Sequence, residues 1–194
     1  MPTPIVHLCV AKKLLMLNKI ACPAEFLLGS IAPDSVYNKP TYYDVPGKYN
    51  EYAIAHMIKP CFTEWKEVAK SFILDRANSD FHLGYGIHIL TDIMWKESVY
   101  TDFTNIYKEQ SRRIYYNDMK RLDFELYNMF DLASDVWKYL SNYEGTNLGI
   151  TDETIAWKEN TLRLFDIKEK YEPLVFFTLE SLVKFIEMAV SDSL

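Results

Sequence analysis

The sequence predicts an all-α fold in a single domain that spans residues 1–194. Only six glycines and eight scattered prolines are available, too few for the many turns of a β-sandwich. Apolar residues recur at helical spacing, and no alternating run is long enough to make a convincing strand. Half of the residues are apolar (49%), which provides for a substantial core. We find no internal repeat, low-complexity tract or linker, so one domain is expected.

The first helix is predicted from Pro4 to about Leu17, because Thr3 and Pro4 suit the N-cap and the first helical position. It places His7 in its first turn. A short helix follows and must end before Pro33, because the residue before a proline avoids the helical conformation.

Asp34 is therefore predicted on a loop that continues through the tyrosine- and proline-rich residues 35–49. A short helix is expected at 50–58, followed by an amphipathic helix at 60–77 with Trp65 and Ala69 on its apolar face. The remaining helices are predicted at 80–98 (with Asp80 as cap), 102–112, 115–140 and 151–165, and from Pro173 onward.

Charge and apolar patterning restrict the classes of partner. The formal net charge of −6 argues against bulk attraction to nucleic acid. The apolar window at 173–190 is too short and too charged for a comfortable membrane span. Its charged residues Glu180, Lys184 and Glu187 form one stripe, so we interpret it as a helix that docks on the core.

The N-terminus and the cysteines predict the compartment. The N-terminal segment lacks the basic start of a signal peptide, and two lysines interrupt its apolar stretch. Three cysteines are too few for a disulfide framework and suit a reducing environment. We expect a soluble, cytoplasmic protein; the sequence does not indicate an oligomeric state.

The segment "GYGIHILTD" at 84–92 carries the most informative spacing. His88 and Asp92 are four residues apart and therefore share one helix face, where imidazole nitrogen and carboxylate oxygen can bind one zinc ion. Gly84 and Gly86 each weaken the helix by about 1 kcal/mol relative to alanine but allow another backbone to approach. The alternative is a buried His–Asp hydrogen bond or simple surface exposure.

Four segments resemble the zinc-dependent phospholipase C family, which is similar to the P1-type nucleases. They are "PIVHLCVAKK", "FLLGSIAPDS", "AHM" and "FHLGYGIHILTDIMW", and the resemblance covers roughly residues 1–100. It implies a multi-helix bundle of the phospholipase C and P1 nuclease type with a cluster of zinc ions.

The resemblance also implies the metal ligands. Asp34 matches the loop aspartate that binds the first zinc, and His56 matches the histidine that follows it. His88 and Asp92 match the helical pair of the same site, and Asp92 also reaches towards a second ion. His7 matches the histidine of the N-terminal helix that holds that second ion.

The chain departs from the family pattern after His88, where no further histidine occurs. The family's remaining zinc site, which needs a downstream pair of histidines, cannot exist in its usual form. Asp118 and Asp123 are the carboxylates nominated as substitutes, either as ligands or as residues that hold ligands. The alternative places both on the solvated face of a helix.

The implied function is that of a metal-dependent, phospholipase C-like hydrolase of a small phosphoester. One or two zinc ions, with manganese or iron as alternatives, would generate hydroxide at neutral pH, and Asp34 would accept the proton of the water. Two other functions remain open. One is a nuclease or nucleotidase on the same scaffold, and the other is a non-catalytic binding protein with a degenerate metal site.

Overall fold

The computed structural model describes residues 1–17, 19–38, 48–76, 78–107, 111–143, 150–164 and 171–193. Throughout these ranges the regular elements are helical and no strand occurs, which confirms the predicted all-α class. The elements are α1 (Pro4–Leu17), α2 (Pro23–Gly29), a 3₁₀ helix (Ala32–Asn38), α3 (Lys48–Ala55), α4 (Phe62–Asp75), α5 (Asp80–Met94), a π-helical turn (Trp95–Tyr100), α6 (Thr101–Tyr107), α7 (Ser111–Met129), α8 (Val136–Ser141), α9 (Asp152–Leu162) and α10 (Leu179–Asp192).

Two predicted helix starts are correct. Helix α1 begins at Pro4 and ends at Leu17, as its N-terminal Thr-Pro pair indicates. Helix α9 follows Thr151, whose side chain accepts a hydrogen bond from the N–H of Thr154.

The predicted loop position of Asp34 is wrong. Asp34 lies in the 3₁₀ helix, which a proline in its first turn does not disturb because that position needs no N–H donor. Of the predicted loop at 35–49, residues 35–38 belong to this 3₁₀ helix and residues 48–49 to α3, whereas 39–47 lie outside the described residues.

The single helix predicted at 115–140 is two helices. Asp131 adopts a positive φ of 46° just after α7, a conformation that ends a helix. Asp135 then caps α8 by accepting the N–H of Val136 at 2.7 Å.

Two predicted caps are also wrong. Ser79 caps α5, while Asp80 accepts the N–H of Cys22 at 2.6 Å and so joins α5 to the start of α2. Pro173 does not open the last helix, because α10 begins only after Thr178, which forms a reciprocal capping box with Ser181.

Helices α1 and α5 form the centre of the molecule. Helix α1 is buried without interruption from Ile5 to Ala11, and α5 from Gly86 to Met94. At the end of α5, Trp95 is fully buried and packs edge-on against Phe185 of α10, with ring centroids 4.8 Å apart. Polar side chains within these stretches of α1 and α5 are therefore shielded from water.

Helix α10 covers this centre, as predicted for a docking helix. Its apolar face is buried, including Leu182, Phe185 and Ile186. On its outer face Lys184 pairs with Glu180 at 2.7 Å. Among the described helices, none has the length and apolarity that crossing a membrane requires.

Helices α2 and α5 touch backbone to backbone at two glycines. A Cβ atom on Gly84 would lie 2.0 Å from the carbonyl oxygen of Phe26, and one on Gly29 would lie 2.0 Å from that of Phe81. Any side chain at either position would force the helices apart. The contact confirms the expected backbone approach at Gly84, whereas Gly86 instead faces the side chain of Ile73.

We predict that Gly84→Ala lowers the free energy of unfolding by about 1–3 kcal/mol despite the higher helix propensity of alanine, because its methyl group clashes with backbone. Gly86→Ala is the matched control, since it meets only the half-buried Ile73 side chain at 2.2 Å, which can move. Urea unfolding of both variants measures the difference. Equal losses in the two would contradict the importance of the α2–α5 contact.

Candidate metal centre

The structure brings together all five predicted metal-binding residues, although they come from four separate elements. They are His7 of α1, Asp34 of the 3₁₀ helix, His56 just after α3, and His88 and Asp92 of α5. All five side chains are buried, with at most 4% of any residue exposed. The first and last of them are 85 positions apart in sequence (92 − 7), so only the fold makes them neighbours.

Asp92 is the common partner of the three histidines. Its Oδ1 lies 3.4 Å from Nε2 of His7, and its Oδ2 lies 3.5 Å from Nε2 of both His56 and His88. Asp34 completes the cluster, with Oδ1 3.3 Å from Nε2 of His56. The contacts of Asp92 are close enough for ion pairing but lack the alignment of hydrogen bonds.

Backbone carbonyls fix the tautomers of two imidazoles. Nδ1 of His88 donates to the carbonyl oxygen of Ser30 at 2.8 Å, and Nδ1 of His56 donates to that of Tyr52 at 3.0 Å. If the ring is neutral, its one proton is therefore on Nδ1, and Nε2 carries a lone pair. In both residues Nε2 faces a carboxylate oxygen. Two electron-rich atoms then point at one another, which a proton or a metal cation must relieve.

Several buried polar atoms in the cluster lack any hydrogen-bond partner. They are both ring nitrogens of His7, Nε2 of His88 and both carboxylate oxygens of Asp92. Buried polar atoms are nearly always paired, since an unpaired one costs about 1–3 kcal/mol. A shared cation would satisfy these orphaned atoms, so the residues fit a metal ion.

The candidate ligand atoms form two overlapping triads. His7, His88 and Asp92 offer one set, and Asp34, His56 and His88 offer the other, with the atoms of each set within 4.8 Å of one another. His88 belongs to both. Because Nδ1 of His88 is bonded to Ser30, His88 can ligate only through Nε2, so the two triads describe alternative positions of one ion, with nitrogen and oxygen donors that suit zinc.

The charges of the cluster are strongly coupled. Burial and the neighbouring His88 lower the pKa of His7 to about 4. Burial alone would raise the pKa of Asp92, but the surrounding His88 and His7 outweigh it and lower that pKa. For His88 the effect of burial is opposed and exceeded by Asp92, so its pKa is raised. Without metal, the proton shared by this pair therefore resides on His88 rather than on Asp92, while His7 favours its neutral form.

Neighbouring elements hold the ligands in place. The Tyr85 hydroxyl donates to the carbonyl oxygen of Ala55 at 2.6 Å, and the Trp65 indole N–H donates to that of His56 at 2.7 Å. These bonds tie the end of α3 to α5 and α4. Because the bonds use backbone acceptors, sequence patterns gave no sign of them, although Tyr85 is part of the glycine-rich motif.

Helix α9 secures the 3₁₀ helix that carries Asp34. The Thr154 hydroxyl donates to that of Ser35 at 3.4 Å, and the Asn160 amide donates to the side-chain oxygen of Asn38 at 3.1 Å. The position of Asp34 thus depends on residues more than a hundred positions further along the chain.

Asp118 and Asp123 are buried, so the interpretation of a solvated helix face is wrong for both. The oxygens of Asp118 accept the backbone N–H groups of Val175, Phe176 and Phe177 at 2.8–3.2 Å. Asp123 accepts the hydroxyl of Thr3 at 2.5 Å. Neither belongs to the two triads, and each already has a structural role.

The start of the chain lies beside the cluster. The α-amino group of Met1 is buried, which lowers its pKa, while the charges of Asp92 and Asp34 act in the opposite direction. The Tyr115 hydroxyl donates to the carbonyl oxygen of Met1. Together with the bond between Thr3 and Asp123, this anchors the first residues to α7.

A cavity of about 280 Å³ leads from the surface to Asp34. Its aromatic lining includes Tyr37, Tyr100, Tyr116 and Trp157. Tyr37, from the tyrosine-rich segment, thus contributes to one wall. A small molecule can reach one carboxylate of the cluster through this opening.

We predict that Asp123 makes stability depend on pH. Burial raises the pKa of this carboxyl to about 8, so the folded protein keeps a proton that the unfolded chain releases near its ordinary pKa of 3.8. The stabilising contribution is complete below that ordinary pKa and is lost as pH rises through about 8.

Urea unfolding from pH 5 to 9 should therefore show a steeper loss of stability in the wild type than in Asp123→Asn. The asparagine keeps an oxygen to accept the Thr3 hydroxyl but cannot ionise. Parallel curves for the two proteins would show that Asp123 does not hold its proton in the folded state.

Comparison of the chain with protein-family models, with curated proteins and with solved structures finds no match.

Proposed function

We propose that this protein is a metal-dependent hydrolase of phosphoesters, similar in its ligands to the zinc-dependent phospholipase C family. The observation that carries the proposal is a buried cluster in which Nε2 of His56 and of His88 faces carboxylate oxygens. In the same cluster both ring nitrogens of His7 and both carboxylate oxygens of Asp92 have no hydrogen-bond partner, and a cation between them would satisfy these atoms.

Three imidazoles and two carboxylates suit zinc, with manganese or iron as alternatives. His88 can ligate one ion through Nε2, and a second ion would have to share the two oxygens of Asp92, which face different histidines. A bound divalent ion supplies hydroxide at neutral pH and neutralises charge on a phosphoryl group. The resemblance would add a third ion, but Asp118 already binds three backbone N–H groups. Because the carboxylate of Asp118 is used in this way, we expect fewer than the three zinc ions of the family.

Asp34 has the position of a proton acceptor. It belongs to the cluster and also lines the cavity through which a substrate would enter. Burial raises the pKa of Asp34, but the hydrogen bond with His56 and the charge of His88 outweigh it, so the pKa is lowered and the group is an ionised carboxylate at neutral pH, the form that can accept a proton. Tyr37 and Trp157, with ring centroids 5.9 Å apart, offer apolar surface for the leaving group.

The alternatives differ in substrate and in activity. A nuclease or nucleotidase would use the same cluster, although the net charge of −6 does not favour long nucleic acids. A non-catalytic binding protein would retain the fold without the ions. Metal content and substrate preference separate these possibilities.

Metal content is the first test. We expect about one or two equivalents of zinc, manganese or iron to copurify with the untagged wild-type protein, and the His88→Ala variant to lose them, because His88 belongs to both triads. The same variant should be destabilised by about 1–3 kcal/mol, since Asp92 loses a buried partner. Elemental analysis and urea unfolding give the two readouts.

His82→Ala is the matched control, because His82 lies on the same helix but is only partly buried and bonds to Ser79. It should keep the full metal content. Less than about half an equivalent of metal in the wild type would favour the non-catalytic alternative.

Turnover is the second test. With chromogenic phosphate esters and added zinc or manganese, we expect Asp34→Asn to lose at least about 100-fold in rate, the usual contribution of a positioned general base. Glu180→Gln, a change on the exposed face of α10, should keep the wild-type rate. An Asp34→Asn variant as active as the wild type would remove Asp34 from the chemistry.

A further inference from the structure

The cavity beside Asp34 contains an arginine that the proposed chemistry does not use. Arg112, near the start of α7, lines this cavity together with Asp34 and the aromatic residues. Among the described lining residues it is the one with a basic side chain, and Asp34 is the one with an acidic side chain. The cavity thus carries a positive charge next to the candidate metal centre.

Arg112 has no partner within the described part of the chain. Its side chain is exposed, and no carboxylate or carbonyl there pairs with it. The adjacent Arg113 behaves differently, since it faces Glu172 at 3.7 Å and lines a separate cavity with Asn117 and Val175. An unpaired guanidinium in a cavity is free to bind an anion, and its planar fork matches two oxygens of a phosphate.

Besides Arg112, the described cavity wall includes one other group that can carry a positive charge, the α-amino group of Met1, and burial lowers the pKa of that amine and so favours its neutral form. Tyr37, Tyr100, Tyr116 and Trp157 contribute aromatic surface, and the hydroxyl of Tyr115 is already bonded to Met1. A zwitterionic substrate would place a cation near Arg112 and be repelled. A dianion would find metal on one side and a guanidinium on the other.

We propose that Arg112 determines substrate class by selecting phosphate monoesters, which are dianions at neutral pH, over zwitterionic diesters. The inference rests on the proposed hydrolase function. In the reaction, the oxygen of water bonds to phosphorus as the P–O bond to the alcohol breaks. The leaving alkoxide takes up the proton that the water gave to Asp34, so that inorganic phosphate and an alcohol are released.

Binding of inorganic phosphate to the zinc-loaded protein tests the role of Arg112 without turnover. By isothermal titration calorimetry, Arg112→Gln should bind phosphate about tenfold more weakly, as expected for loss of charge-assisted hydrogen bonds. Arg113→Gln, the matched control, should bind like the wild type, and Arg112→Lys should restore part of the loss. Zinc content should be the same in all four proteins. Equal affinities for Arg112→Gln and Arg113→Gln would overturn the proposal.

Kinetics with three chromogenic esters then test selectivity. For p-nitrophenyl phosphate, a dianion, Arg112→Gln should raise KM about tenfold, which corresponds to the loss of one such contact. For bis(p-nitrophenyl) phosphate, a monoanion, the effect should be smaller, and for zwitterionic p-nitrophenyl phosphorylcholine it should vanish. Equal losses on all three esters would mean that Arg112 is structural and would also overturn the proposal.

Failure of the hydrolase function itself gives a different pattern. A wild-type protein that binds no metal overturns both proposals together. A protein that binds zinc but hydrolyses none of the esters overturns the hydrolase function and the substrate preference that rests on it, while the phosphate titration still shows whether Arg112 binds phosphate. Normal turnover without any selective effect of Arg112→Gln overturns only the role of Arg112.

Discussion

The contact between α2 and α5 determines where the buried polar cluster can form. Gly29 and Gly84 let the two backbones meet, because a Cβ atom at either position would collide with a backbone carbonyl of the other helix. The carbonyl oxygen of Ser30, one residue after Gly29, thereby reaches Nδ1 of His88, one turn after Gly84. That bond orients the imidazole so that Nε2 faces Asp92. With larger residues at the crossing, the helices would separate and the acceptor would move out of reach.

Burying the five polar side chains of the cluster costs free energy, and the way the structure offsets this cost indicates what the cluster can bind. Two carboxylates and three imidazoles lie almost entirely out of water, where an isolated charge is strongly disfavoured. Mutual attraction offsets part of the cost, as the lowered pKa of Asp92 and the raised pKa of His88 show. The orphaned atoms of His7 and Asp92 show that the offset is incomplete. Protons and a metal cation would compete for the same lone pairs, so metal affinity should weaken as pH falls.

The two halves of the chain have different roles. Residues before 100 supply the whole cluster, whereas later elements hold it together: α9 secures the 3₁₀ helix, and α10 covers α1. Helix α7 does both, because Tyr115 and Asp123 anchor the first residues while Arg112 lines the cavity. Asp118 holds the non-helical segment before α10 in place, since its carboxylate accepts hydrogen bonds from three successive backbone N–H groups there.

The sequence by itself determined the helical class and the starts of α1 and α9, because helical periodicity and caps are local. The helix repeat also set His88 and Asp92 on one face, whereas His7, Asp34 and His56 were assigned to the cluster only by the resemblance to a known family. It did not determine the break at Asp131 or the burial of Asp118 and Asp123, since Lys12 bonds to the carbonyl of Asp131, Phe177 to Asp118 and Thr3 to Asp123 from distant positions. Only the tertiary structure decided that Nε2 of His88 and of His56 faces carboxylates, because the fold brings the carbonyl of Ser30 to His88 and the carboxylate of Asp34 to His56.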